Sequence, residues 1–391
     1  MRLVFNGALM SIFFAVYFAA ASAYVLLAIG CMLKQRREGN LRTTPLPPIS
    51  VLKPVYGLDA NLYQNLRSFC EQDYPNFQIV FGVADPNDAA LQVIHQLLAD
   101  LPERDLSITV SGLQIGSNRK ISNVWNCLKL AKHDLLVIAD SDMRVGADYL
   151  RHLAAGFEKQ NVGAVTCLYK GKAAGGVSSV LGATFINEWF MPSVLVALKF
   201  QKIRFCFGAT MGIRRAVLEE IGGLERLANE LADDYMLGNL VAEHGHEVAL
   251  VPYLVENVVY EPNLRSLLAH ELRWARTVRS VQPLGYTLSF LTYVVPAALG
   301  LAVAAGNPII GLSAVTFAIG LRVLMHDVAR LSVDPAAATH SPALYGLAVV
   351  RDLLCFGVWA TSFVSRDVEW RGHSFRVDRH GQLELKEITS R

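Results

Sequence analysis

The six cysteines, Cys31, Cys70, Cys127, Cys167, Cys206 and Cys355, are scattered, and no two stand in CxxC spacing. That pattern argues against a structural zinc site and a disulfide framework, and suits a reducing compartment. Net charge is equally scarce. Against 36 Lys and Arg stand 34 Asp and Glu, leaving +2 over 391 residues. A general polyanion-binding surface is not indicated, and no nucleic-acid partner is expected. Internal repeats and low-complexity tracts are absent as well. Charged residues make up only 18% of the chain and apolar ones 52%, a rich mixture for a soluble protein. The apolar excess lies at the two ends, and the middle has the composition of an ordinary globular domain.

At the amino end, Leu3 to Leu33 is almost wholly apolar. A helix needs about 20 such residues to cross a bilayer, and the run is too long for a signal-peptide core. Lys34, Arg36, Arg37 and Arg42 follow directly, so by the positive-inside rule the next segment is cytoplasmic. Thr43 to Pro48 (TTPLPP) reads as a stiff linker. At the carboxyl end come three further apolar segments, Thr287–Ala305, Pro308–Met325 and Ala343–Val364, the first two reading as a hairpin across the membrane. Arg351 and Asp352 fall near the middle of the third, where charge is costly and tends to face a bundle interior or a functional site. If the third segment crosses, the tail lies outside. Its Arg366, Arg371, Arg376, Arg379 and Lys386 favour the inside.

Between the ends, apolar β-branched runs alternate with helical ones. ISVLKPV, FQIVFGVA, SITVSGL and DLLVIAD read as buried strands, with helices expected over 61–72, 89–98, 121–132 and 148–159. Such alternation implies an α/β fold with a mostly parallel sheet and helices on both faces. Ligands of such sheets bind outside the carboxyl ends of the strands. Asp85 and Asp140 sit at two such ends and are expected to share a crevice. Val177 to Phe200 is apolar enough for a span but is interrupted by Asn187, Glu188 and Pro192. It is read as a membrane-facing helix at an acceptor entrance, with plain core as the alternative. Asn263 is expected to cap an amphipathic helix. Its Leu264, Leu267, Leu268, Leu272, Ala275, Val278 and Val281 share one face, and Arg265, His270, Arg273 and Arg276 the other, a pattern suited to a membrane interface. Glu271 intrudes on the apolar face. The expected order is therefore an anchor (1–42), a catalytic domain (43–262), an interfacial helix (263–286), membrane segments (287–365) and a basic tail (366–391).

Five groupings carry candidate chemistry. Asp140-Ser-Asp142 at a strand end puts two hard carboxylates on one side, a set suited to Mg²⁺ or Mn²⁺ shared with substrate phosphates. A capped strand-to-helix loop is the bland alternative. Asp85 can accept from a uracil N–H or a ribose hydroxyl, and Asp-Pro-Asn-Asp is equally strong turn chemistry. Lys53, Lys120 and Asn123 lie at or near strand ends, where Lys120 could pair with a phosphate or simply be solvated. Asp233-Asp234 precedes an apolar helix. Asp234 is the chosen general base for an acceptor hydroxyl, with helix-dipole capping as the alternative. Arg273 could clamp a diphosphate and Trp274 floor an acceptor site, although such a pair is also a common interfacial anchor.

Taken in order, Asp85, Asp140-Ser-Asp142, Asp233-Asp234 and His270-Glu-Leu-Arg273-Trp274 resemble the D, DxD, (E/D)D and (Q/R)xxRW signature of family-2-like inverting glycosyltransferases of the GT-A fold. Within them the chain is most similar to the ceramide glucosyltransferase group. The likeness runs from ISVLKPVYG through GSNRKISN, VIADSDMRV, GATMGIRR and HELRWARTVR to WRGHSFRV. GSNRKISN, TCLYKGK, PSVLVAL and HELRWARTVR resemble the bacterial hopanoid-associated branch. The resemblance implies a UDP-sugar donor and a membrane lipid acceptor, either a hopanoid polyol receiving N-acetylglucosamine or ceramide receiving glucose. It also implies uridine binding at Asp85, ribose or metal at Asp140, metal at Asp142, the base at Asp234, and a diphosphate and acceptor clamp at Arg273 and Trp274. His270 departs from the signature, where Gln or Arg is usual. Polyprenyl-phosphate sugar transferases, polysaccharide synthases and non-catalytic lipid carriers are the competing classes.

Overall fold

The computed structural model describes residues 2–34, 46–334, 342–365, 367–370, 373–377 and 382–385. Arg36, Arg37, Arg42, the first half of the 43–48 linker, and Arg366, Arg371, Arg379 and Lys386 lie outside the described residues. The chain divides into two compact units. One comprises 36–176, 202–260 and 367–391, the other 1–35, 177–201 and 261–366. The units interleave along the chain, where hydropathy alone runs them in succession.

The first unit is built on an eight-stranded sheet. Its strands are β1 (Ile49–Val55), β2 (Phe77–Val83), β3 (Leu106–Val110), β4 (Leu135–Ile138), β5 (Met143–Arg144), β6 (Val162–Ala173), β7 (Met211–Arg214) and β8 (Glu247–Val259). Their spatial order is β3-β2-β1-β4-β7-β6-β8-β5. β3, β2, β1 and β4 run parallel, β7 is reversed, and β6 and β8 run parallel to each other. Every residue of β1 and β2 is buried, because helices cover both faces. On one face pack Leu66, Ile94 and Leu153 from the helices Leu62–Cys70, Ala90–Asp100 and Tyr149–Gly156. Ile121, Val124, Leu237 and Val241, from Arg119–Leu128 and Asp233–Glu243, pack on the other. The expected α/β alternation is therefore present, while β5 to β8, and the strands of the expected basic tail described next, are not among the strands the sequence pattern marks. The same unit holds a three-stranded antiparallel sheet formed by β9 (Asp367–Trp370), β10 (His373–Val377) and β11 (Leu383–Leu385).

The second unit is helical. Among the described residues, four of its helices are long and apolar enough to cross a membrane: Gly7–Lys34, Val177–Ala197, Pro308–Val333 and Ala343–Ser362. The first of the three expected carboxyl segments differs from the reading as a straight span. It is two pieces, Pro283–Thr292 and Val294–Ala304, bent by 62°. Pro296 explains the break, since a proline ring collides with the carbonyl four residues earlier and stops a helix from running through. The freed Thr292 carbonyl accepts from Arg322 Nη2 at 3.1 Å, and the first-turn N–H of Val295 donates to Asp352 Oδ2 at 2.8 Å. Arg322 and Asp352 are themselves paired and both are buried. Trp189 adds its indole N–H to Asp352 at 3.2 Å. An apolar surround offers no water to an interrupted backbone, so buried partners must replace it.

The amphipathic helix is Leu264–Val281, capped as expected by Asn263, whose side chain accepts the Ser266 N–H at 2.9 Å. Its fully buried residues are Leu267 and Glu271. Glu271, the residue that interrupts the apolar stripe, meets Arg351 at 2.7 Å. The charged pair in the third apolar segment is thus split between two partners, Glu271 for Arg351 and Arg322 for Asp352. Removing one member of a buried pair strands a charge, at a cost of about 3–5 kcal/mol, whereas replacing both can be nearly neutral. Glu271→Leu alone is expected to lower the unfolding midpoint of the detergent-solubilised protein, and Glu271→Leu with Arg351→Leu to restore most of it. A thermal-melt double-mutant cycle checks this, and additive losses would refute it.

Candidate active site

The site is built at the carboxyl end of β4, where the chain leaves the sheet through Ala139 into Asp140-Ser141-Asp142 and turns into β5. Ala139 N–H still bonds Leu52 O at 3.3 Å, so this exit is held against β1. Lys53, next on β1 and fully buried, donates to the Asp140 carbonyl at 2.5 Å and lies 3.6 Å from the centroid of the Phe69 ring. Burial pulls its pKa down to about 7 against the attraction of Asp140 and Asp142.

Lys120 joins the clusters. It is carried by the helix Arg119–Leu128, whose amino end is capped by Asn118 accepting the Ile121 N–H at 3.0 Å. The ammonium sits 2.9 Å from Asp140 Oδ1 and 3.2 Å from Asp233 Oδ2. Burial opposes its charge, but Asp140, Asp233 and Asp234 outweigh burial and hold its pKa above the ordinary lysine range. Asn118 also reaches across, donating to Glu230 O at 2.8 Å and Asp233 Oδ1 at 3.5 Å. Asp234 begins the helix Asp233–Glu243. One of its oxygens accepts the Tyr235 N–H at 2.8 Å. Burial, then the neighbouring Asp233, raises its pKa to about 6, the range in which a carboxylate can act as a base near neutrality.

Gly208 marks where these groups converge. A methyl group built on it would lie 3.4 Å from both Asp140 Oδ2 and Asp234 Oδ2, and 3.8 Å from Lys120 Nζ. The missing side chain leaves room for a substrate atom against both carboxylates. Gly208 lies in GATMGIRR but is not singled out by the sequence, since nothing in one dimension places a glycine over two distant aspartates. Asp142 is held from behind: its Oδ2 accepts from Asn257 Nδ2 at 3.0 Å, and its backbone carbonyl accepts the Val258 N–H at 2.9 Å. Its Oδ1 is buried with no hydrogen-bond partner. Burial, then Asp140 and Asp59, raises the Asp142 pKa to about 7, because a negative charge there lacks solvent and faces other carboxylates. Asn257 and Asp59, which also accepts from Ser141 Oγ at 2.5 Å, are supporting residues that the motif reading does not reach.

Two expected residues lie toward β2, with β1 between it and β4. Asp85, past the end of β2, is exposed, and its Oδ1 accepts the Asn87 N–H at 2.8 Å. That is the Asx-turn geometry of Asp-Pro-Asn-Asp. Asn123 is buried and donates to Gly82 O at 2.8 Å. It also borders a small cleft with Val55, Tyr56, Ala84, Ser111 and Arg119 at the carboxyl ends of β1 to β3. A broader open depression around Gln72, Tyr74 and Arg104 lies near the amino ends of β1 and β2, away from the carboxylates.

His270, Arg273 and Trp274 belong to the helical unit. His270 Nδ1 meets Glu261 Oε1 at 2.8 Å, and Ser266 Oγ donates to Glu261 Oε2 at 2.5 Å. A carboxylate accepts only, so the tautomer carrying hydrogen on Nδ1 is inferred. Burial lowers the His270 pKa, and Arg273 adds to this against the pull of Glu261. The Trp274 ring stacks on Phe185 with centroids 6.1 Å apart and meets the His270 ring at 4.3 Å.

The family model described as Glycosyl transferase family 21 matches residues 15–383. Ceramide glucosyltransferase 3 of Caenorhabditis elegans is 23% identical over 353 residues, covering 86% of this chain and 74% of that protein. Ceramide glucosyltransferase 1 of the same organism is 28% identical over 206 residues, 52% of this chain and 44% of its own length. Beta-monoglucosyldiacylglycerol synthase of Trichormus variabilis is 23% identical over 182 residues, 46% of this chain and 38% of that protein. Among solved structures, a mannosyltransferase from Pyrobaculum calidifontis in complex with GDP-Man and Mn2+ matches with a TM-score of 0.54 at 19% identity. The match covers 91% of this chain and 98% of that one. The fold is accordingly GT-A-like, with apolar helices at both ends of the chain.

Gly208→Ala is expected to lower kcat by about tenfold or more, since crowding reacting groups by a fraction of an ångström is costly. The unfolding midpoint should move little. Steady-state kinetics beside a thermal melt checks both, and an unchanged kcat would show that the space over Gly208 is not used.

Proposed function

Since the chain belongs to glycosyl transferase family 21, we propose that it transfers a sugar from a UDP-sugar to a hydroxyl of a membrane lipid, with inversion at the anomeric carbon. One observation carries the reading. A single buried ammonium, Lys120, ties the DxD residue Asp140 to Asp233, and Asp234 faces the same point as Asp140. A donor-holding carboxylate and a candidate base therefore stand side by side. The lipid acceptor is supported by the family's ceramide and diacylglycerol relatives and by the four helices long and apolar enough to cross a membrane.

The donor set fits a hard divalent cation such as Mg²⁺ or Mn²⁺. Asp142 Oδ1 is buried and unpartnered, and Asp140 Oδ2 faces the open point over Gly208. Among the described residues no group of three or more His, Cys, Asp or Glu could hold a metal ion, so diphosphate oxygens would complete the shell. Bound there, such a cation would neutralise charge developing on the UDP leaving group.

The residues of the chain account for the remaining roles. Lys120 stays protonated and keeps Asp140 and Asp233 in place. Asp234 takes the proton of the acceptor hydroxyl, whose oxygen attacks the anomeric carbon as the bond to UDP breaks on the opposite face. No covalent intermediate is needed, so one base suffices. Asp85 and Asn123, beside the cleft at the ends of β1 to β3, are assigned to the nucleotide. Arg273 is assigned to the diphosphate and Trp274 to the acceptor, with His270 held neutral by burial. From the motif likeness, the specific substrates are N-acetylglucosamine and a hopanoid polyol, with glucose and ceramide as the alternative pair. The same reading sets the catalytic unit on the cytoplasmic face of a bacterial cytoplasmic membrane, supported by Lys34, Arg36, Arg37 and Arg42 after the first apolar helix.

Purified protein incubated with UDP-glucose or UDP-N-acetylglucosamine, against ceramide or a hopanoid polyol, tests donor and acceptor together by mass spectrometry of the lipid. Asp234→Asn is expected to abolish transfer to a lipid alcohol. Full activity in that variant, or transfer only to a polyprenyl phosphate (an acceptor already ionised), would sink the base assignment. Activity should fall as pH drops through about 6, where Asp234 gains its proton, or at lower pH with a cation bound beside it.

Excess chelator is expected to remove activity and added Mn²⁺ or Mg²⁺ to restore it. Asp142→Ala should weaken the cation dependence. Undiminished turnover in chelator would exclude the metal.

A further inference from the structure

The loop that delivers Asp234 is gripped from two sides. On the inner side, Asn118 N–H bonds Ala228 O at 2.7 Å, and Ser117 N–H bonds Asn229 Oδ1 at 2.9 Å. Gly116 passes so close that a Cβ there would lie 2.4 Å from Ala228 O, so this approach requires glycine.

The outer side is the end of the chain. Leu383 of β11 donates its N–H to Asn229 O at 2.8 Å. Gln382 and Glu230 form an antiparallel bridge, and Gln382 Nε2 reaches Glu230 Oε1 at 3.4 Å. Beneath these bonds, Leu231 packs with Val368, Phe375 and Leu383 in a buried apolar cluster. That cluster draws one side chain from each of the three carboxy-terminal strands and one from the loop, two residues before Asp233. Three short strands need a covered hydrophobic face to be stable in water, and Leu231 of the loop helps cover this one, so the loop and the strands stabilise each other.

We propose that the carboxy-terminal strands β9 to β11 are a positioning part of the catalytic site, holding the 229–233 loop so that Asp233 meets Lys120 and Asp234 faces Gly208. This rests on the reading of Asp234 as the base. The strands touch no reacting atom in this account. They act through the loop, and their loss changes turnover rather than donor binding.

Three variants and one control test this, with UDP-sugar and lipid acceptor as substrates. Deletion of 367–391 removes the outer grip entirely. Leu383→Pro removes the N–H donated to Asn229 O and one apolar side chain of the cluster; that N–H faces Asn229 and not β10, so the ladder with β10 is spared. Phe375→Ala opens the cluster. Each variant is titrated with UDP, and kcat is expressed per UDP-binding molecule, so that unfolded protein does not count. If the deleted protein does not fold, the two point variants decide.

The expected result is a fall in kcat of about tenfold or more, as for an ångström-scale displacement of a catalytic group. KM for the UDP-sugar should stay within about twofold of its original value, since an interaction made only in the transition state affects kcat and not ground-state binding. Wild-type kcat per UDP-binding molecule in the point variants would overturn the proposal, as would a rise in donor KM as large as the fall in kcat. Asp234→Asn separates the two ideas. Activity retained there overturns the base reading and this proposal with it, whereas an inactive Asp234→Asn beside fully active tail variants overturns only the role of the strands.

Discussion

The buried ammonium of Lys120 is the contact on which the candidate site depends. Asp140, Asp233 and Asp234 are brought within its reach from a strand end and a helix start that are far apart in sequence. Without a cation among them, like charges in a poorly solvated place would raise one another's pKa and take up protons. With it, two carboxylates are ion-paired and the third is left poised. The position of Lys120 follows in turn from its helix, which starts where Asn118 caps it and where Gly116 allows the chain to pass against Ala228. A short Gly-Ser-Asn sequence thus fixes a charge that organises the DxD and the acidic pair together.

The helical unit obeys a related rule with the opposite emphasis. Two of its buried charges serve an interrupted backbone. Pro296 stops a helix in apolar surroundings, and Arg322 and Asp352 take up the carbonyl and the N–H that the break leaves over. Arg351 is bound instead to the amphipathic helix through Glu271 and lies over Phe185, against which Trp274 stacks. Charges that look costly in the sequence are therefore paired one by one.

Much of this architecture is legible in the chain. ISVLKPV and FQIVFGVA are continuous apolar runs because both faces of β1 and β2 are covered, and Asp140 stands out because it ends such a run. The signature as an ordered set is enough to indicate the family that the match over residues 15–383 shows. What is not legible is contact between distant segments. β7 is four residues long, too short for periodicity to reveal, yet it reverses beside β4 and brings Gly208 over the carboxylates. Glu271 reads as a flaw in an apolar stripe until Arg351 is seen opposite it. Asp85 illustrates another limit, because the same four residues make a good turn and a good ligand contact, and its Asx-turn is present whichever role it has.

The return of the chain's end to the strand unit has a consequence for membrane topology. β9 to β11 pack with Leu231, so the residues before 261 and after 366 lie in one folded body. A folded body cannot be split by a bilayer, so the chain between those points must cross an even number of times. The same parity applies to 177–201, which leaves β6 and returns to the antiparallel β7. That helix cannot be a lone crossing, however apolar it is. The same condition excludes an odd number of crossings among the three carboxyl segments, the first of which is bent by 62°.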